Sequence, residues 1–185
     1  MVDIGYNAAI VFNSEDKCMK KLLLILFTIS SSFPIFAAEV IHKDWVINTD
    51  GDDYYYAATI NNSGHVFGKY CYFENKQCLF LITVDITCTK GNKYPVLVNA
   101  ESGALNLNLV CGDRMGNQNV LVFDNFDQVE RTAKQSKQFG IAIPMESGHF
   151  KVSRFSLSGS SYSLDTMTNE AEKRVSLSNV DSELL

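Results

Sequence analysis

Four cysteines, Cys71, Cys78, Cys88 and Cys111, stand in the middle of this 185-residue chain, and a fifth, Cys18, stands far upstream. Thiols so placed have two main uses. As thiolates they hold zinc, but zinc sites are built on paired C-x₂₋₄-C knuckles, and these intervals contain none. Oxidised in pairs they make disulfides, which leaves no thiol for nucleophilic catalysis. Cys71 and Cys78 flank the turn Glu74-Asn75-Lys76 and so fall opposite one another on adjacent strands. Among the alternative pairings, Cys71–Cys78 with Cys88–Cys111 is favoured. In the chain-entropy description the first bridge contributes about 2.5 kcal/mol and the second, closing a longer loop, about 3.5 kcal/mol.

Other reactive residue types are scattered. His42, His65 and His149 lie at no metal-ligand spacing and read as strand-surface residues. Asn48-Thr49-Asp50-Gly51-Asp52-Asp53 has the oxygen-rich composition of a calcium loop, but it lacks the distal bidentate glutamate and runs directly into Tyr54, so it reads as a turn. Ser158-Gly159-Ser160-Ser161 is not the G-x-S-x-G of a nucleophile elbow. No Gly-rich phosphate loop is present. A carboxylate pair, such as Asp52 with Asp85 or Asp124, is left open. No catalytic, metal-binding or cofactor-binding residue is therefore assigned. The densest aromatic group, Tyr54, Tyr55, Tyr56, Tyr70 and Tyr72 with Phe73, suits either a recognition surface for protein or glycan or cross-strand pairs that stabilise hairpins, and the second use is favoured.

The elements that must position these residues are mostly strands. Alternating or continuously apolar runs bounded by turn residues predict strands over 40–47, 54–60, 65–73, 78–88, 94–98, 104–111, 120–123, 141–145 and 149–157. The runs 78–88, 94–98 and 104–111 read as a three-strand meander. Residues 112–119 read as a polar loop. Pro144 predicts an edge strand, and the change of apolar parity between Phe150/Val152 and Phe155/Leu157 predicts a bulge near Ser153 or Arg154. Asp127 with Glu130 predicts one surface helix over 128–138, closed by Gly140. A short C-terminal helix is expected over 160–167, with a flexible polar tail over 168–185. The fold class is mainly β, an antiparallel sandwich of hairpins in a single domain over 38–167.

Met19-Lys20-Lys21, the apolar run Leu22 to Ile29 and the small residues Ala37-Ala38 have the order of a secretory signal peptide over 19–37. Glu15 and Asp16 put acid ahead of the basic segment, so residues 1–18 read as a spurious extension upstream of a true start at Met19. Removing this leader removes Cys18 and leaves an even set of cysteines, the pattern of an oxidising compartment. The net charge of −5 argues against nucleic acid as a partner, and the leader's apolar run is too short to span a bilayer.

Three stretches resemble the invasion-associated locus B family of exported bacterial proteins. They are Asp44-Trp45-Val46, then Tyr94-Pro95-Val96-Leu97-Val98 turning through Glu101-Ser102-Gly103, and Phe155-Ser156-Leu157-Ser158-Gly159 followed by Leu164. The resemblance implies a periplasmic or secreted β-sandwich without a known catalytic site, associated with the envelope or with host-cell interaction. It carries over no functional residue. The expected function is a non-enzymatic interaction or envelope-associated protein with an unidentified protein or glycan partner. A small periplasmic hydrolase or glycan-acting enzyme and an inhibitor or accessory subunit are the alternatives.

Overall fold

The computed structural model describes residues 39–183; the proposed extension and signal peptide lie outside them. The fold is mainly β. Ten strands form one antiparallel sheet: β1 (Val40–His42), β2 (Trp45–Asn48), β3 (Tyr54–Ile60), β4 (Val66–Tyr72), β5 (Gln77–Val84), β6 (Lys93–Ala100), β7 (Gly103–Met115), β8 (Gln118–Phe123), β9 (Gln138–Pro144) and β10 (Phe150–Ser156). Helix α1 (Phe126–Gln135) precedes β9, and α2 (Ser160–Glu183) ends the described chain. The spatial order is β1-β2-β3-β4-β5-β8-β7-β6-β9-β10.

One sheet supplies both layers because it curls until its ends meet. Phe67 on β4, fully buried, lies at the meeting point. Its ring stacks on Phe139 of β9 at 4.4 Å and on Phe80 of β5 at 5.9 Å. It also touches Phe155 of β10 at 5.6 Å and meets Trp45 of β2 edge-on at 6.1 Å. Residues from the start and the end of the strand order thus share one aromatic core, where rings gain from edge-to-face and offset contacts beyond their burial. Both helices pack on that core, α1 through Val129 and Ala133 and α2 through Leu164, Met167 and Ala171.

The seam between the two ends is closed by side chains and loop bonds. The Trp45 indole Nε1 donates to the Ser156 carbonyl at 3.1 Å, and Asn61 Nδ2 donates to the Arg154 carbonyl at 3.2 Å. The Asp44 backbone N–H donates to the Ser158 carbonyl. The first two donors satisfy carbonyls on the outer edge of β10, which would otherwise form an open template for another strand, and the third continues the seam just past its end.

Several expected elements are corrected. Residues 40–47 form a hairpin and not one strand, because Lys43 takes a left-handed φ of 56° at the turn. The turn is pressed against Gly159, where a Cβ would come within 2.5 Å of the His42 carbonyl oxygen. Strand β5 stops at Val84, short of Cys88, and the expected meander does not form, because the short apolar strand β8 inserts between β5 and β7. Residues 112–119 are therefore mainly the arms of the β7–β8 hairpin. Strand β9 is paired on both sides, with β6 and β10, and Pro144 sits at its end where only β10 is opposite. No bulge interrupts β10. Ser153, Phe155 and Leu157 point inward, while Phe150 and Val152 stay exposed on the outer face.

The helices shift as well. Asn125 caps α1, its Oδ1 accepting from the Gln128 N–H at 3.1 Å, so the helix starts two residues early and Phe139 falls in β9. The C-terminal helix is 24 residues long, carrying helical backbone through most of the expected tail.

Phe67→Ala should cost about 3–5 kcal/mol of unfolding free energy, the range for an emptied aromatic core site, measured by chemical denaturation. Phe150→Ala on the exposed face should change it by roughly 0.5 kcal/mol or less. Equal effects would contradict the placement of the core.

Candidate functional site

The structure holds two disulfides, Cys71–Cys78 and Cys88–Cys111. The first joins residues directly opposite in the β4–β5 register. The second fastens the connection between β5 and β6, which passes the ends of β8 and β7, to strand β7. That connection also receives backbone bonds, Gly91 N–H to the Cys111 carbonyl and Cys111 N–H to the Asn92 carbonyl. Lys90 and Asp113 form an ion pair beside them. The crossing left unexplained by a simple meander is thus the place that is stapled.

The tyrosines divide by strand parity, since successive side chains point to opposite faces. Tyr54, Tyr56, Tyr70 and Tyr72 share the outer face of β3 and β4. Tyr56 stacks on Tyr70 at 5.3 Å, and Tyr54 contacts Tyr72 at 5.1 Å and Tyr70 at 5.7 Å. Ala58 and Leu81 are buried beneath them, with Leu79, Val120 and Val122 alongside, and the cluster draws on strands alone. Tyr70 is buried, while Tyr54, Tyr56 and Tyr72 stay partly open. Burial pushes the Tyr56 and Tyr70 hydroxyls above the ordinary tyrosine value, and at Tyr56 the bond to Glu39 adds to it, so both are neutral. A cleft of about 250 Å³ opens here between Tyr54, Tyr56, Tyr70, Ile60, Met115 and Glu39.

Tyr55 does not belong to this surface. It points to the opposite face, packs edge-on against Phe73 at 4.8 Å and lies under the Arg174 guanidinium of α2. Arg174 stands 4.3 Å from the Phe73 ring centre and donates to the carbonyls of Gly51 and Asp52 at 2.6 and 2.9 Å. The acidic turn at 48–53 thus faces a guanidinium. Among the described residues no cluster of His, Cys, Asp and Glu is arranged to hold a metal ion.

A second constellation escaped sequence reasoning. His65, 2 % exposed, makes a 2.6 Å hydrogen bond from Nδ1 to Ser153 Oγ and a 2.9 Å bond from Nε2 to Asp85 Oδ2. An ionised carboxylate only accepts, so Nε2–H donates to Asp85, and in the neutral ring Nδ1 accepts from the Ser153 hydroxyl. Ser153 Oγ accepts in turn from Asn61 Nδ2 at 3.3 Å. Serine, histidine and aspartate are the components of a hydrolase triad, and a cavity of about 700 Å³ has Asn61, Ser153 and Arg154 in its lining but neither His65 nor Asp85. The order of exposure runs against catalysis. Ser153 is 4 % exposed and faces the core, whereas the Asp85 side chain is 58 % exposed. A nucleophile must reach a substrate carbonyl; this hydroxyl instead ties β10 to the start of β4 across the seam. Asp52 and Asp124 take no part. Asp52 meets Arg174, and Asp124 binds Asn108.

Lys69 is a further buried charge, 3 % exposed. Its Nζ donates to Glu130 Oε1 and Thr168 Oγ1, both at 2.9 Å, below the Phe126 ring. Burial pushes the Glu130 carboxyl up, but Lys69 and Lys134 outweigh it and hold the group below its ordinary value. Sheet, α1 and α2 are thereby joined at one point.

Comparison with known proteins gives a likeness of fold. No family model matches the chain, and no curated protein matches it. A crystal structure of invasion associated protein B from Bartonella henselae is similar, with a TM-score of 0.53 at 12 % identity, covering 72 % of this chain and 97 % of that one. The resemblance read from the sequence is therefore matched by a likeness of fold. Among the described residues no helix is long and apolar enough to cross a membrane.

The seam has a pH signature. The His65 hydrogen bond holds the Asp85 carboxyl below the usual aspartate range, with Lys151 adding to it. A carboxylate with a depressed folded value contributes stability above its unfolded value, and that contribution is lost as pH falls through the folded one. Unfolding midpoints should therefore drop as pH is lowered from about 5 to about 3. Asp85→Asn should lower stability at neutral pH and flatten that acid limb; an unchanged limb would contradict the assignment.

Proposed function

We propose that this protein is an exported, disulfide-stapled β-domain that acts by binding and not by catalysis, in the periplasm or after secretion. The observation that carries the reading is the outer tyrosine face of β3 and β4, an aromatic surface that neither helix packs against. Tyrosines supply large, rigid, amphipathic contact area and are enriched at interfaces. Two disulfides support an oxidising compartment, as does the leader-like sequence at 19–37. The likeness to an invasion-associated protein supports an envelope or surface role. The partner is a protein or glycan; the acidic net charge disfavours nucleic acid.

The hydrolase reading has one observation in its favour, the Ser153–His65–Asp85 chain, and it ranks second because the hydroxyl is buried and already bonded on both sides. The two readings separate on Ser153→Ala. A structural tie predicts lower stability and no change in a hydrolase screen, whereas a catalytic role predicts lost turnover at unchanged fold.

The binding reading predicts that the exported product has no reactive thiols in native titration with a thiol reagent. It also predicts that Tyr54→Ser with Tyr72→Ser abolishes crosslinked capture of a partner from envelope fractions while leaving the circular dichroism spectrum unchanged. Several reactive thiols, retention inside the cell, or capture indifferent to these substitutions would contradict it. Removing Cys88–Cys111 should cost about 3.5 kcal/mol against about 2.5 kcal/mol for Cys71–Cys78.

A further inference from the structure

We propose that the cleft on the tyrosine face receives an arginine side chain of a partner protein. The inference rests on the reading of that face as a docking surface and names what docks.

Size comes first. The cleft is open to solvent and has a volume of about 250 Å³, at the small end of ligand sites. A volume of that order suits one long side chain inserted from a partner, the anchor-and-pocket arrangement of interface hot spots, where arginine is enriched.

Charge and chemistry then select the side chain. The walls are apolar or aromatic, from Ile60, Met115, Tyr54, Tyr56 and Tyr70, and Glu39 is the one acidic residue among the lining. Its carboxylate accepts from the Tyr56 hydroxyl through Oε1 at 2.6 Å and has further lone pairs to offer. An occupant must therefore be cationic at its tip, apolar along its stem and able to lie against phenol rings. Arginine meets all three requirements: its stem packs on apolar surface, and its guanidinium stacks on aromatic faces while pairing with a carboxylate. Lysine pairs with the carboxylate as a compact, strongly hydrated charge and lacks the planar stacking.

The other face of the same two strands already displays this chemistry. Arg174 lies over Phe73 and Tyr55 and reaches Tyr55 Oη at 3.3 Å. Alternating side chains give β3 and β4 an aromatic surface on each side. The inner one is filled by the chain's own arginine, and the outer one has the aromatic walls and the carboxylate without a guanidinium of its own among the lining residues.

The test is an NMR titration of the oxidised full chain with N-acetylarginine methylamide, N-acetyllysine methylamide, N-acetylglutamine methylamide and methyl β-glucoside. The arginine compound should move the Met115 methyl and the Tyr54 and Tyr56 ring resonances, with the lysine compound weaker and the glutamine compound and the sugar without effect. Glu39→Gln should weaken the arginine response by roughly tenfold, the scale of a hydrogen bond to a charged partner. Phe150→Ala, an exposed position on β10 outside the cleft lining, should preserve that response. An equal response to the glutamine compound, a response only to the sugar, or indifference to Glu39→Gln would overturn the assignment. If the arginine compound fails while Tyr54→Ser with Tyr72→Ser still abolishes partner capture, the arginine assignment falls and the docking face stands. If capture survives those substitutions, both fall.

Discussion

The contact of the sheet's two ends around Phe67 is the constraint on which the rest of the molecule depends. A long antiparallel sheet with an apolar inner face has to bury that face against something, and the two helices among the described residues are too few to cover its ten strands. Curling lets β9 and β10 serve as the cover for β2, β3 and β4, with the Phe67, Phe139, Phe155 and Trp45 side chains filling the interval. The seam is then closed by donors matched to particular edge carbonyls, and by the His65 bridge between Ser153 and Asp85.

That closure decides which surfaces remain available. Residues of odd number on β3 and β4, among them Tyr55, Phe67, Lys69 and Cys71, face the core and the helices, and their polar groups are satisfied there: Lys69 by Glu130 and Thr168, Tyr55 by Arg174. Residues of even number face away, and among them are four tyrosines above a small apolar bed. A buried lysine is costly unless paired, so the Lys69 site also fixes how the helices sit on the sheet. The outer face is thereby a by-product of the same alternation that builds the core, and its aromatic content is the ground on which the proposed binding role rests.

Local features were legible in the sequence, and non-local ones were not. The β3–β4 and β4–β5 hairpins, with Cys71 opposite Cys78, follow from turn residues between alternating runs, and so does β6–β7. The insertion of β8 between β5 and β7 is invisible to periodicity, because a short apolar run such as Val120-Leu121-Val122 does not say which neighbours it takes. Likewise no spacing connects His65 with Ser153 and Asp85, which meet only once the sheet closes. Two misses had a signal. The period of two already separates Tyr55 from Tyr54 and Tyr56. The three-and-four spacing of Leu164, Met167, Ala171 and Arg174 continues the α2 stripe well past Thr168, where the polar composition suggested a tail.

The most direct measurement is hydrogen exchange at the Trp45 indole Nε1–H, a single resonance because the chain has one tryptophan, and a proton bonded to the Ser156 carbonyl across the seam. Closure around Phe67 as the organising contact requires that this proton exchange only through global unfolding, with a free energy equal to that from denaturant titration and reduced in step with it by Phe67→Ala. Exchange through a local opening of much lower free energy, indifferent to that substitution, would contradict the account.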